Sequence, residues 1–171
     1  MPERHYNEWM FALRFAALLA LTVWVGGLLA LGAVAAPAIF DVVAAQQLAD
    51  GRLLSGAIFG EILRRFHHVC YVCGGVVPIS LAARAVLGPR PRRFAIRMTI
   101  SGLMLAAVVY SGLVLLPRIE RLRVSSAVAP SSLPTSDPLR VEFGRLHGIS
   151  TGLQIIPLVG GLLLLFWELR D

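Results

Sequence analysis

Residues 15–40 read FAALLALTVWVGGLLALGAVAAPAIF, a run without a charged side chain that is long enough to cross a lipid bilayer. At about 1.5 Å of rise per residue, a helix of roughly 20 residues crosses a hydrocarbon layer of ~30 Å. Three further long apolar stretches follow along the chain. We therefore predict four membrane-spanning helices, at about residues 15–40, 66–86, 98–116 and 146–166.

The composition is typical of a membrane protein. Of the 171 residues, 57% are hydrophobic and 15% are charged, and the mean hydropathy is +0.74. Soluble domains are about 45–50% apolar and about 25% charged. The first apolar run is longer than the roughly 7 to 15 residues of a signal-peptide core, so we expect it to be retained. Because no stretch indicates a soluble domain, we predict a single membrane domain over residues 1–171.

The two halves of the chain align without gaps at an offset of eighty residues. The aligned pairs include Gly32 with Gly112, Pro37 with Pro117, Arg65 with Arg145, and His67 with His147. The coincidence of rare residue types at the ends of apolar runs favours a duplication. The sequence thus predicts an all-α integral membrane four-helix bundle, built from two similar helical hairpins related by a pseudo-twofold axis along the membrane normal.

Arginine density predicts the orientation of the bundle. All sixteen basic residues are arginine, and counting them by side gives a tie. The loop between the second and third stretches, however, has five arginines and no acid within residues 84–97. Short, dense basic loops stay inside, so we predict an inner-membrane protein with this loop and both termini in the cytoplasm. Arginines beside membrane spans are drawn to anionic headgroups, and the net charge of +6 therefore predicts no nucleic-acid partner.

The connection before the last stretch has a recognisable end. Residues 124–138 are rich in Ser and Pro and show no periodicity, which is typical of a linker. Asp137 can cap free helical amides, and Pro138 suits the first position of a helix. We therefore predict that the fourth helix begins at this dipeptide, before the membrane.

His67 and His147 are the strongest candidates for a site. The predicted topology places both near the outer ends of their helices, at one shared depth. Ionisable groups within a membrane generally face the bundle interior or a wet cavity. Three interpretations remain open: two hydrogen-bonded histidines that pack the hairpins together, a shared haem or metal site, or a role in proton handling or substrate contact.

Cys70 and Cys73 extend this pattern, because His67, Cys70 and Cys73 follow one another at intervals of three residues. Residues at this spacing lie near one face of a helix, and thiolate with imidazole suits copper(I) or zinc. Cysteines of this kind are also commonly small buried hydrophobes. If a metal binds, we predict His67, His147 and Cys70 as ligands, with Asp41 as a further candidate. If haem b binds, His67 and His147 would be its axial ligands.

The sequence predicts a membrane protein of unestablished activity, not a conventional enzyme, with His67 and His147 as a candidate haem- or metal-binding pair at the outer leaflet. It contains no Ser/His/Asp set, no paired carboxylates at depth and no nucleotide-binding fingerprint. One alternative is a non-catalytic structural or accessory subunit, with a protein partner or a second copy. Another is a small transporter or membrane enzyme, for which Tyr110, Ser150 and Gln154 are the deeper polar candidates. In each case the surrounding partner is the lipid bilayer.

Several segments resemble a known family. Residues 65–68 (RFHH), 116–120 (LPRIE) and 142–150 (EFGRLHGIS), together with Trp24-Val25-Gly26-Gly27, are similar to the transmembrane protein 205-like family. The similarity extends over nearly the whole chain and is sharpest in residues 143–150. The resemblance implies a small four-span membrane protein with a domain of unknown function, and it implies no particular activity.

Reporter fusions can test the predicted orientation. A fusion after Asp171 should report from the cytoplasm, and so should one within residues 84–97, because the dense arginines hold that loop inside. A fusion within residues 124–138 should report from the opposite side. A periplasmic signal from the fusion after Asp171 would reverse the orientation.

Overall fold

The computed structural model describes the backbone of residues 2–170 and the side chains of residues 7–170. These residues form helices and connecting turns, with no strand among them. In chain order the elements are α1 (Pro2–Ala30), a π-helical turn (Leu31–Ala35), α2 (Ala36–Ala45), α3 (Gly51–Leu87), α4 (Phe94–Tyr110), a second π-helical turn (Ser111–Leu115), α5 (Leu116–Val124), a 3-10 turn (Pro130–Ser132) and α6 (Pro138–Arg170).

These elements combine into four helices that are long and apolar enough to cross a membrane. We call them the first to fourth spans, and they cover Asn7–Ala45, Gly51–Leu87, Phe94–Val124 and Pro138–Arg170. The predicted all-α four-span fold is confirmed. Each span extends past both ends of its predicted apolar stretch. At about 1.5 Å per residue, the 37 residues of α3 measure roughly 55 Å, so its ends lie outside a hydrocarbon layer of ~30 Å.

The spans form a ring in which each packs against two neighbours. The first span contacts the second and the fourth, and the third span also contacts the second and the fourth. The core between them is apolar along most of its length. Its most deeply buried side chains include Leu21, Trp24, Leu81, Met104 and Leu164.

The start of the fourth span agrees with its prediction. α6 begins at Pro138, and the carboxylate of Asp137 accepts a hydrogen bond from the backbone N–H of Leu139 at 2.8 Å. The side chain therefore satisfies one of the amides that the first turn leaves unpaired. The prediction of a helix start at this dipeptide is confirmed.

Glycines allow the spans to approach closely. A Cβ atom on Gly27 would lie 2.3 Å from the ring of Phe66, and one on Gly161 would lie 2.4 Å from a methyl group of Val25. No real Cβ atom tolerates such distances. Small residues at helix crossings are typical of membrane bundles, where close packing drives association.

Two π-helical turns interrupt the first and third spans at matching positions. They cover Leu31–Ala35 and Ser111–Leu115, and each is followed by a proline, Pro37 or Pro117. Proline lacks an N–H, and its ring clashes with the carbonyl four residues earlier. A wider turn relieves that conflict within a continuous helix. The turns begin eighty residues apart, the same offset that aligns the two halves of the sequence.

The glycine within each π-helical turn has a different environment. A Cβ atom on Gly112 would lie 2.0 Å from the hydroxyl oxygen of Tyr71 and 2.6 Å from Cδ2 of His67. A Cβ atom on Gly32, at the aligned position, would meet nothing within 4 Å. Equivalent residues in the two halves therefore make different contacts.

A buried ion cluster joins all four spans at the end that carries both termini. Glu168 of α6 is 2% exposed, and its carboxylate accepts hydrogen bonds from Arg84 of α3 at 2.9 and 3.0 Å and from Arg97 of α4 at 2.9 Å. Arg14 of α1 lies 3.8 Å from the same carboxylate and donates to the backbone carbonyl of Glu168. We call Glu168 with these three arginines the Glu168 cluster.

Replacing Glu168 by Gln should destabilise the bundle strongly. The substitution removes the carboxylate that the three arginines of the cluster share, and breaking a buried ion pair costs about 3–5 kcal/mol. We expect a loss of about 3 kcal/mol in thermal or denaturant unfolding in detergent. Glu142→Gln is the matched control, because Glu142 pairs with Arg145 on the exposed surface of one helix and such pairs contribute little. Equal stability of the two variants would contradict a structural role for the cluster.

Gly112→Ala should also destabilise the protein, whereas Gly32→Ala should be tolerated. The added methyl group at residue 112 meets the Tyr71 and His67 side chains, and overpacking of this kind costs about 1–3 kcal/mol. At residue 32 the methyl group enters open space, and alanine favours a helix over glycine. Thermal unfolding of both variants provides the measurement. A similar loss at both positions would show that the π-helical turns, rather than the packed rings, need glycine.

Candidate functional site

His67 lies inside the bundle and has a fixed ring orientation. It is 4% exposed, and its Nδ1 donates a hydrogen bond to the backbone carbonyl oxygen of Leu63, one turn earlier on α3, at 2.8 Å. Because a carbonyl oxygen can only accept, Nδ1 carries the hydrogen. In a neutral ring Nε2 is then the acceptor atom, and it has no hydrogen-bond partner among residues 7–170. The imidazole therefore presents one lone pair to its surroundings.

The third span and an aromatic neighbour enclose this ring. Tyr71, one turn further along α3, meets it edge-on, with ring centroids 6.2 Å apart and an interplanar angle of 63°. Gly112 lies against both rings. His68 is exposed and contacts Tyr71 from another side. The side chain that points inward is thus His67, and the space for it comes from glycine on the facing span.

A small internal cavity adjoins His67. Its polar lining comes from His67, Cys70, Ser111 and Gln154, and its apolar lining includes Leu28 and Pro157. The cavity measures about 10 Å³, close to the ~10–15 Å³ that a single water molecule needs. A group no larger than a water molecule or a single ion fits beside the imidazole in this conformation. A porphyrin does not fit in this cavity.

The second π-helical turn supplies the polar side chain opposite. Ser111 opens this turn, and its hydroxyl lies 3.4 Å from that of Ser150 on α6. Both serines are buried, at 2% and 5% exposure. The turn therefore places a hydroxyl between the third and fourth spans, next to the cavity beside His67. π-Helical turns often occur at functional sites.

His147 has a different environment. It is exposed on α6 and stacks on Phe143, with ring centroids 6.0 Å apart and an interplanar angle of 5°. It does not line the cavity beside His67. The structure thus places one predicted ligand inside the bundle and the other on its surface, and their joint action stays a prediction.

The other predicted site residues are dispersed. Cys70 and Cys73 are both buried and both free thiols, and Cys70 shares the cavity with His67. Asp41 is exposed near the end of the first span, and Tyr110 is 47% exposed. Within residues 7–170, no group of three or more His, Cys, Asp or Glu side chains is positioned to hold a metal ion. Among the predicted metal ligands, only His67 and Cys70 line the same cavity.

The sequence interpretation missed Glu168. Its carboxylate is the most buried acid of the described chain and the centre of the Glu168 cluster. A signal was present, since Glu168 interrupts the apolar end of the last span in the segment Leu-Phe-Trp-Glu-Leu. Its partners lie 84 and 71 residues away in sequence. Sequence spacing alone therefore could not predict which arginines pair with Glu168.

The groups around His67 limit what the cavity can bind. They are an imidazole acceptor, a thiol, a hydroxyl and an amide, and they surround a space the size of a water molecule. It can hold a water molecule or bind a small polar group, and imidazole with thiol also suits a soft metal ion.

Comparison with known proteins gives one match. The sequence model of a family described as "Domain of unknown function (DUF4149)" matches residues 19–127. This region includes His67 and Gly112 and ends before His147 and Glu168. No curated protein and no solved structure matches the chain. Because the match covers more than half of its 171 residues, the chain belongs to the DUF4149 family, a family of unknown function.

Proposed function

We propose that the protein is a non-catalytic structural or accessory subunit of the membrane. The observation that carries this proposal is the Glu168 cluster, which ties all four spans together at one end. Arg84 belongs to the first half of the chain and Glu168 to the second, so the buried pair links the two hairpins. Secondary transporters work by rocking one repeat against another. That movement would separate these charges, at a cost of several kcal/mol.

His67 acts as a packing residue under this proposal. Its Nδ1 hydrogen bond to Leu63 and its edge-on contact with Tyr71 fix the ring within the second span, and its close fit against Gly112 packs that span against the third. A water molecule in the adjoining cavity would satisfy Nε2. The polar interior then serves helix association, because hydrogen bonds and close packing hold membrane helices together.

We also propose a location for the protein and an origin for its two similar halves. We place the protein in the inner membrane as one domain over residues 1–171, with both termini in the cytoplasm, on the strength of the arginines in residues 84–97. The π-helical turns at the same offset as the sequence alignment support descent from a duplicated hairpin. Relationship to the transmembrane protein 205-like family agrees with this architecture.

A second candidate is a binding site for a soft metal ion or haem. The hydrogen bond from Nδ1 to Leu63 favours it, because metal-binding histidines commonly donate their other ring N–H to a backbone carbonyl. Cys70 adds a thiol to the same cavity. His147 would complete this site only after a rearrangement, or from a second copy through its exposed ring. A haem held by both histidines would require the same.

Metal analysis and histidine variants separate the two functions. For a structural subunit, protein purified from native membranes should be colourless, hold no stoichiometric iron, copper or zinc, and co-purify with a second polypeptide at fixed stoichiometry. His67→Ala should lower the unfolding free energy by about 2 kcal/mol, because it enlarges a buried cavity. His147→Ala should change it by less than about 0.5 kcal/mol, as is usual at exposed sites.

The double variant gives the sharpest comparison. Under the structural proposal the two effects should add within about 0.5 kcal/mol, because the side chains occupy separate environments. Under the binding proposal either single substitution should remove the metal or the haem absorption band, and the double variant should lose nothing further. Stoichiometric metal that disappears with either histidine would overturn the structural assignment.

A further inference from the structure

The end of the bundle that carries the termini also bears a basic recess. We call it the arginine recess: a cavity of about 360 Å³ lined by Arg92, Arg93, Arg97, Phe166, Trp167 and Arg170. Four of these six lining residues are arginines, and no acidic side chain is among them. Its volume lies within the roughly 300–1,000 Å³ of ligand pockets.

Three of the four guanidinium groups of the recess lie over aromatic rings. Arg93 and Arg97 lie over Trp167, 5.2 and 5.8 Å from its centroid, and Arg170 lies over Phe166 at 4.4 Å. Stacking uses the face of a guanidinium and leaves the N–H groups at its edge available. Arg92, Arg93 and Arg170 make no hydrogen bond or ion pair within residues 7–170. These edges can therefore donate to a phosphate, for which arginine is well suited.

The floor of the recess is fixed from below. Arg97 is 1% exposed and donates to Glu168 at 2.9 Å, so the Glu168 cluster holds its side chain in place. Arg93 adopts a left-handed backbone conformation, with φ of 55°, at the start of α4. Such a conformation is uncommon for a residue other than glycine. It lies where the chain turns from the loop into the helix, beside the rings of α6.

A second groove of similar size differs from the arginine recess in how its arginines are paired. Between α3 and α5, a groove of about 430 Å³ is lined by Glu61, Arg64, Glu120 and Arg123 among others. There the arginines already pair with glutamates of their own helices, at 2.7 and 2.5 Å. A bound anion would compete with those carboxylates. In the arginine recess Arg97 pairs with Glu168, whereas the other three arginines pair with no carboxylate within residues 7–170.

The neighbouring surface identifies the source of the anion. Phe166 lines the recess, and Leu169 and Ile96 are sequence neighbours of its arginines. These three side chains are 48%, 74% and 52% exposed, as side chains that face lipid chains are. A ligand that fills the recess beside such a surface needs a negative head and an apolar body. We propose that the arginine recess binds the phosphate of an anionic glycerophospholipid, whose acyl chains lie along the outer faces of α4 and α6. Basic pockets between spans bind lipid headgroups in this way. This site goes beyond the proposed structural role and does not depend on it.

Native mass spectrometry of the whole, delipidated protein tests the proposal. The probes are phosphatidylglycerol and phosphatidylcholine with identical acyl chains, and inorganic phosphate. We expect the wild-type protein to retain phosphatidylglycerol at least about tenfold better than phosphatidylcholine, because each arginine near an anionic headgroup contributes measurably. Excess inorganic phosphate should not displace the lipid.

Two matched triple variants locate the site. R92Q/R93Q/R170Q should lose this preference, whereas R52Q/R118Q/R121Q, which removes the same charge from the opposite end of the bundle, should keep it. Trp167→Leu, which changes no charge, should weaken phosphatidylglycerol binding several-fold by removing the stacking platform. If the first triple variant does not fold, Arg92→Gln and Arg170→Gln alter exposed residues singly, and each should weaken binding several-fold.

Three outcomes would overturn the proposal. Equal preference in both triple variants would mean that surface charge in general attracts the lipid. Displacement by inorganic phosphate at comparable concentration would assign the recess to a free anion. Unchanged binding in Trp167→Leu and in the single arginine variants would show that the recess is not the site. None of these results bears on the metal analysis of the His67 cavity, so the two proposals fail independently.

Discussion

Glu168 must stay paired, and the arrangement of the four spans follows from that requirement. Its carboxylate accepts hydrogen bonds from Arg84 and Arg97, while Arg14 lies beside it and donates to its backbone carbonyl. A buried charge without its partner costs several kcal/mol. The spans therefore cannot slide or rotate far at this end without a large penalty. The cluster fixes the register of the helices where the termini and the loop at residues 88–93 meet.

The Glu168 cluster fixes the register at one end. In the rest of the bundle, glycines and π-helical turns determine which side chains pack inside. The proline after each π-helical turn forces a wider turn, and in the third span this turn brings Ser111 beside Ser150. Gly112 then leaves space for two rings of the second span. The imidazole of His67 can be buried because the residue that faces it, Gly112, has no side chain. A small cavity lined by both polar and apolar side chains adjoins this ring.

The two halves share residue types but use them differently. A Cβ atom on Gly112 would meet two rings, whereas one on Gly32 would meet nothing within 4 Å. His67 is buried and His147 is exposed. Identical residues at aligned positions of the two halves are therefore not equivalent, because each half packs against different neighbouring side chains. The arginines within residues 84–97 also differ from one another in their environments. Arg97 is drawn into the Glu168 cluster, while Arg92 and Arg93 remain at the surface, where stacked guanidinium groups form the proposed lipid site.

The sequence by itself determined the class, the number of spans and the start of the fourth helix at Asp137 and Pro138. These depend on local properties: the apolar length needed to cross a bilayer and the capping of free amides. Only the tertiary structure decided which side chains meet. The pairing of Glu168 with arginines 84 and 71 residues earlier, and the different fates of His67 and His147, depend on how each helix rotates about its axis. Periodicity in an apolar span leaves that rotation undetermined, since lipid-facing and core-facing surfaces are both apolar.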